Sequence, residues 1–344
     1  MKLALGGDRG IRLALGVLLA LCHTLAAAAD PASEVQAKAQ ALARAQAAVV
    51  GVRATAVDDA RSIESLGRQR EGSGVVIGAD GLVLTIGYLI LEADHVELVL
   101  GAERVIPARV VAYDLASGFG LLQGLVPVRV APVRLGESSA VALQQPLMIA
   151  SGGEGGELSL ARLVSRRAFS GYWEYHVDGA LFTAPPRTDH SGAALFNADG
   201  ELLGIGSLVV MDALGPDQPR LPGNMFVPIN LLKSILPELQ QRGASRDSTR
   251  AWLGLNCVEI DGMVRVVRTS PDSPAEQAGL LPGDRILRID GVDVNGLEGL
   301  YKTLWGGAKP EREVILLIQR GGEQHTVTLQ SRDRMKLLRR AKGI

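Results

Sequence analysis

From Val49 to about Glu238 the chain alternates short β-branched or leucine-rich runs with Gly, Pro and Asp. Gly74-Val75-Val76-Ile77, Leu82-Val83-Leu84-Thr85, Val96–Leu100, Val105–Ala112, Leu147–Ala150, Leu202–Val210 and Met225–Val227 are runs of this kind. Many short strands punctuated by turn formers predict a β-sandwich or barrel. Two helical patterns frame this region. Pro31–Val49 is alanine-rich with few breakers and reads as one helix. It suits a partner-binding arm and a helix packed on its own domain equally. Asn230–Arg242 places Leu231, Leu232, Ile235, Leu236 and Leu239 at a helical period. Pro237, with no N–H and a ring that crowds the preceding turn, predicts a kink or an early end there. Gln241–Arg250 is polar, with Gly and Ser, and reads as a linker; Ala251–Gln330 reads as a second, small domain.

The 344 residues suffice for two domains, and the first residues change the picture further. Arg9 and Arg12 precede an apolar run, Leu13–Leu25, and then Ala26-Ala27-Ala28-Ala29 before Asp30. A charged start, a short apolar centre and a small-residue cleavage site predict a secretory signal peptide over 1–29. The run is short for a membrane span of roughly 20 residues, so no stable membrane insertion is expected after cleavage. Leu21 before Cys22 is too large for a lipoprotein signal. Loss of 1–29 removes Lys2, Arg9 and Arg12 against Asp8, taking the formal net charge from −1 to about −3. No basic face for nucleic acid is expected. One cysteine, Cys257, remains, so no internal disulfide is possible. No phosphate loop, metal-spaced His/Cys set or dinucleotide fingerprint is present, and neither cofactor nor metal is expected.

The stretch that organises the first domain is Thr188-Asp189-His190-Ser191-Gly192-Ala193-Ala194-Leu195, followed by Phe196-Asn197-Ala198-Asp199-Gly200-Glu201-Leu202-Leu203-Gly204-Ile205. It resembles the nucleophile loop of the HtrA/Deg proteases, a chymotrypsin-type family whose serine sits in a Gly-Asn-Ser-Gly-Gly-Pro-Leu turn. Ser191, Gly192 and Leu195 match; Asp189 and His190 stand for Gly and Asn, and Ala193-Ala194 for Gly-Pro. Upstream, Gly72-Ser73-Gly74-Val75-Val76-Ile77 and Gly81-Leu82-Val83-Leu84-Thr85 match the landmarks that lead to the family's histidine, whose position holds Tyr88. Asp114-Leu115-Ala116-Ser117-Gly118-Phe119-Gly120-Leu121-Leu122 matches the segment of its aspartate, whose position holds Gly118.

A serine hydroxyl is a poor nucleophile without an adjacent base, and a phenol of ordinary pKa near 10 is no base at neutral pH. A serine–lysine dyad is excluded within the domain, because no lysine lies between Lys38 and Lys233. His190 adjoins Ser191, and consecutive side chains of extended chain point apart. His95 and His176 fall at strand edges, where a solvated histidine is expected. Asp189 puts a carboxylate where an oxyanion would need stabilisation. Phe119 is expected to fill the space left at Gly118.

In the second domain, Ser273-Pro274-Ala275-Glu276-Gln277-Ala278-Gly279-Leu280 leads into Gly283-Asp284-Arg285-Ile286 and on to Asp290-Gly291. This run closely resembles bacterial PDZ domains. Ser273 suits an N-cap with Pro274 in the first turn, and Gly279 a left-handed stop. Trp252-Leu253-Gly254-Leu255 resembles the PDZ carboxylate-binding loop. The resemblance implies that Leu253, Gly254 and Leu255 meet a ligand's terminal carboxylate while the ligand adds as a strand beside Leu255–Ile260. A helix near Leu297–Leu304 would form the other wall, with Leu300, Tyr301 and Leu304 in the pocket.

The fold expected is therefore mostly β: a signal peptide (1–29), a helical arm (30–48), a two-lobed chymotrypsin-like barrel domain (49–242), a linker (243–250), a PDZ domain (251–330) and a solvated basic tail (331–344). The function expected is that of a periplasmic HtrA/Deg-like protein without peptidase activity, a pseudoprotease binding unfolded or C-terminal peptide segments in protein quality control or regulation. Two rivals stand beside it: an active serine endopeptidase using Ser191 with a non-standard base, and a structural subunit of a mixed oligomer. The resemblance also implies a homotrimer built through residues near the mature N-terminus, here Pro31–Ala54.

Overall fold

The computed structural model describes residues 31–101, 104–307 and 309–339; the signal peptide lies outside the described residues. The N-terminal helix runs Pro31–Ala47. The residues from Ala41 onward form one compact unit, to which everything that follows belongs.

Two closed antiparallel barrels come first. One is formed by β1 (Val49–Ala56), β2 (Gln69–Val76), β3 (Leu82–Ile86), β4 (Ala93–Leu100), β5 (Arg104–Tyr113) and β6 (Phe119–Gly124) in the order β1-β2-β3-β6-β5-β4. The other takes β7 (Pro146–Ala150), β8 (Leu158–Gly171), β9 (Tyr175–Ala184), β10 (Ala194–Phe196), β11 (Leu202–Val210) and β12 (Gly223–Pro228) in the order β10-β11-β12-β9-β8-β7. Closure removes the strand edges that an open sheet of these apolar runs would expose. β3 is buried along its whole length, as its unbroken Leu-Val-Leu-Thr-Ile requires. The turn between β10 and β11 is closed by Asn197, whose Oδ1 accepts from the Asp199 and Glu201 amides at 3.0 and 2.9 Å. Gly200 there has φ +71°, and a Cβ on it would lie 2.6 Å from the Ala41 carbonyl oxygen.

The helix after β12 runs Ile229–Arg242 and continues through Pro237, ending at Gly243 in the left-handed conformation. The expected early end does not occur: Pro237 is exposed, and Leu232 and Leu239 on either side of it are buried in the barrel core. The segment read as a free linker is pinned instead. Asp114 Oδ1 accepts from the Ser245 amide at 2.9 Å and from Ser248 Oγ at 2.6 Å.

Beyond it, β13 (Ala251–Trp252), β14 (Leu255–Ile260), β15 (Met263–Thr269), β16 (Arg285–Ile289), β17 (Val292–Asp293), β18 (Glu313–Arg320) and β19 (Glu323–Gln330) build the second domain. Its main sheet runs β14-β15-β16-β18-β19, with β17 on β16. Ser273 caps the short helix Pro274–Gln277 by accepting from the Glu276 amide, with Pro274 in the first turn as its sequence predicts. The tail is not a solvated end as far as Arg339. Arg332–Asp333 pairs with β13, Arg334 Nη1 donates to the Trp173 carbonyl at 3.3 Å, and the Arg339 amide donates to Glu92 Oε1 at 2.8 Å. Among the described residues, no helix is long and apolar enough to cross a membrane.

Candidate functional site

Ser191 and Tyr88 come from different barrels and meet between them. Ser191 lies in the turn entering β10, and Tyr88 in the helical turn Gly87–Ile90 that follows β3. The glycine-rich end of β2 fixes the serine turn: the Ser73 amide donates to the Ser191 carbonyl at 2.8 Å. Gly192 has φ +74°, and a Cβ on it would lie 1.9 Å from the Ser73 carbonyl oxygen, so no other residue fits there. Neither Asp189 nor His190 has a positive φ, so the replacements for Gly and Asn sit in ordinary backbone conformations. The buried Arg70 guanidinium holds the other partner in place by donating to the Tyr88 carbonyl at 3.0 Å and the Leu91 carbonyl at 2.6 Å.

The Tyr88 phenol oxygen lies 2.8 Å from Ser191 Oγ and 2.8 Å from the Ser207 carbonyl oxygen. A phenol has one proton and a carbonyl can only accept. That proton therefore goes to Ser207, and the serine hydroxyl donates to the phenol oxygen. Burial pushes the phenol up to about 12, against the opposing hydrogen bond with Ser191. The Tyr88 phenol is thus protonated at neutral pH, with its proton turned away from the serine oxygen's lone pairs.

Gly118, in the aspartate position, has φ +81°. The space beside it is taken by Tyr175 and not by Phe119: a Cβ on Gly118 would lie 2.8 Å from the Tyr175 hydroxyl, which donates to the Ser117 carbonyl at 2.7 Å. The histidines of the barrels have partners other than the Ser191 hydroxyl. His95 is exposed and pairs with Asp94 at 3.0 Å. His176 is buried, contrary to its expected solvated place at a strand edge, because β9 turns it between Ser170 Oγ at 2.9 Å and Asp178 at 3.1 Å. His190 Nδ1 faces the Thr188 carbonyl at 3.0 Å, and burial holds its pKa below the usual value. Asp189 does not confront the site with a bare charge. Arg187 grips both its oxygens, Nε at 2.8 Å, and Ser151 Oγ donates to it, so its pKa stays below the usual carboxylate value. His176, Asp178 and Glu298 could bring three ligand atoms together, but the Lys302 ammonium reaches Asp178 at 3.4 Å and Glu298 at 2.7 Å, which a cation there would oppose.

The second site is the loop Leu253-Gly254-Leu255. Gly254 has φ +78°, and a Cβ on it would lie 2.2 Å from the Ser273 Cβ. The loop's amides converge on a carboxylate that belongs to the chain itself. The Leu255 amide donates to Glu174 Oε1 at 2.7 Å, and the Leu253 amide to both Glu174 oxygens at 3.2 Å. Glu174 lies at the tip of the β8–β9 hairpin and is buried. Two residues along β14, the Cys257 amide donates to the Tyr172 carbonyl at 2.9 Å. Of the three expected pocket residues on the helix Gly296–Trp305, Leu300 and Leu304 are turned into the core of the second domain. Only Tyr301 reaches the hairpin: its hydroxyl donates to the Gly171 carbonyl at 2.8 Å and accepts from the Glu174 amide at 3.3 Å. The sequence did carry one signal for this tip. In a chain with 4% aromatic residues, Tyr172, Trp173 and Tyr175 fall within four positions.

Two family models match. The trypsin-like peptidase domain covers residues 72–205 and the PDZ domain residues 251–330. Over both regions the chain is similar to periplasmic serine endoproteases of the DegP type. A probable periplasmic serine endoprotease DegP-like of Marinomonas sp. is 29% identical over 283 residues, covering 77% of this chain and 58% of the relative. The periplasmic serine endoprotease DegP of Escherichia coli K12 is 26% identical over 281 residues, covering 75% and 56%. The chain thus spans a little over half the length of those curated relatives. Among solved structures, the HtrA-type protease AlgW with decapeptide superposes with a TM-score of 0.53 at 19% identity, over 86% of this chain and 98% of that one. The serine endoprotease from Yersinia pestis gives 0.52 at 22% identity, over 86% and 97%. The chymotrypsin-like barrels followed by a PDZ domain are the architecture of these HtrA structures.

Proposed function

We propose that this chain is an HtrA/DegP-like periplasmic pseudoprotease that binds exposed peptide C-termini through its PDZ domain. The observation that carries the loss of activity is the Tyr88–Ser191 contact. The base position holds a phenol with a pKa of about 12 whose proton is committed to the Ser207 carbonyl. Loss of the histidine alone costs about a millionfold in turnover where it has been measured. No lysine of the barrel domain and none of the three histidines replaces it. The binding half of the reading is supported by the Leu253 and Leu255 amides, which converge on a carboxylate in the way a chain terminus requires. The periplasmic location is supported by the names of the curated relatives and by the signal-like first 29 residues. A fluorophosphonate probe tests the first half: the purified chain should remain unlabelled at Ser191 and should leave casein intact. Stoichiometric labelling lost in Ser191→Ala would establish an active endopeptidase.

A further inference from the structure

We infer that the β8–β9 hairpin tip, Tyr172–Glu174, is a built-in ligand of the PDZ groove, which an incoming chain terminus must displace before it can bind. The inference rests on the peptide-binding reading of that groove. Its ground is a correspondence of spacing. A terminus entering such a groove presents its carboxylate to the loop amides and a backbone carbonyl to the edge strand two residues further along. The tip presents both: Glu174 supplies the carboxylate to the Leu253 and Leu255 amides, and Tyr172, two residues earlier, supplies the carbonyl to the Cys257 amide. The Glu174 side chain therefore stands where a terminal carboxylate would, and the tip runs beside β14 where a ligand strand would.

Two further observations fit a latch. Glu174 adopts φ +56°, the left-handed position that ends a three-residue hairpin loop, which turns its side chain outward from the tip. Contacts hold the tip from both sides of the groove, Tyr301 on one and the amide loop on the other, with Arg334 on the Trp173 carbonyl. A free terminus competes for the same amides, and the two cannot occupy them together. The apparent affinity of the whole chain for a terminus is then its intrinsic affinity reduced by the fraction of molecules whose tip is undocked.

The test uses the full chain and reads the groove directly. Amide hydrogen exchange at Leu253, Leu255 and Cys257 is compared in the unaltered chain, in Glu174→Ala, which removes the acceptor altogether, and in Glu174→Asp, which loses one methylene of reach. Near-ultraviolet circular dichroism verifies that each variant remains folded. Exchange at least tenfold faster in both variants is expected, as is at least tenfold tighter binding of a fluorescent free-acid peptide ending in Leu. Unchanged exchange at these three amides in both folded variants would overturn the latch. Accelerated exchange without binding of either the free-acid peptide or its amide would leave the latch standing and remove the peptide-binding function instead. Should Glu174→Ala fail to fold, the same two readouts on Glu174→Asp decide the matter.

Discussion

At the scale of single residues, two tyrosines close the surroundings of Ser191. Tyr88 closes a hydrogen-bonded bridge from Ser191 to the Ser207 carbonyl, and Tyr175 occupies the room that an aspartate at 118 would need. The double variant Tyr88→His/Gly118→Asp should therefore stay at background on casein. The added carboxylate meets the Tyr175 hydroxyl at Cβ distance, and its backbone must hold φ +81°. The same variant should lose on the order of 1–3 kcal/mol of stability, read by chemical denaturation, because a non-glycine residue is forced into a strained region. Robust hydrolysis dependent on Ser191 would show that the site had been misread. That Tyr88 lies beside Ser191 was legible in the sequence because the landmark runs before it are intact. Tyr175 was not. It lies 57 positions beyond Gly118, on the other barrel, and no local pattern connects the two. The same holds for Arg187 on Asp189: a sequence shows a carboxylate near an oxyanion turn, but the neutralising guanidinium becomes visible only when the loop is folded.

At the scale of elements, the β8–β9 hairpin is the feature that the pattern of apolar runs did not single out. The partner of its tip depends on how a second domain docks. That docking has a sign with pH. Burial raises the Glu174 carboxyl to about 7 from an ordinary 4.5, outweighing the Leu255 and Leu253 amides and the Arg334 guanidinium. The other titratable groups facing it, the Cys257 thiol and the Tyr301 phenol, are themselves pushed up by burial and stay neutral. Between pH 4.5 and 7 the docked tip holds a proton that the undocked tip lacks, so docking is strongest below 4.5 and weakens as pH rises through 7. A peptide's terminal carboxylate, with a pKa of about 3.5, remains charged throughout. Peptide affinity for the unaltered chain should accordingly rise roughly tenfold between about pH 5.5 and pH 8. A flat profile, or one that falls, would contradict it. Glu174→Gln should abolish the dependence.

At the scale of the whole molecule, two barrels and a PDZ domain follow from the sequence because strand spacing, the serine turn and the Ser273–Gly291 run are all local signals. What joins them is not local, and so the stretch 243–250 reads as a tether in the sequence but is fastened in the fold. The N-terminal helix divides similarly. Leu42, Ala45 and Ala48 contribute to the barrel core, so a truncation that tests the arm must stop at residue 40. Light scattering of the mature protein, with and without residues 30–40, should give a trimer that falls to a monomer; a monomer in both cases would dismiss the arm as an assembly element. The fastened stretch has a further consequence, for proteolysis. It carries Arg246 and Arg250 and follows directly on Arg242, which gives three points at which trypsin would cut an open tether. A protease must first draw several residues of backbone into an extended shape, and here Ser245 and Ser248 are held on the buried Asp114 carboxylate while the Arg250 guanidinium lies 4.1 Å from the Trp305 ring centroid. Brief trypsin treatment should leave the two domains on one uncut polypeptide, and Asp114→Asn should release them as separate bands.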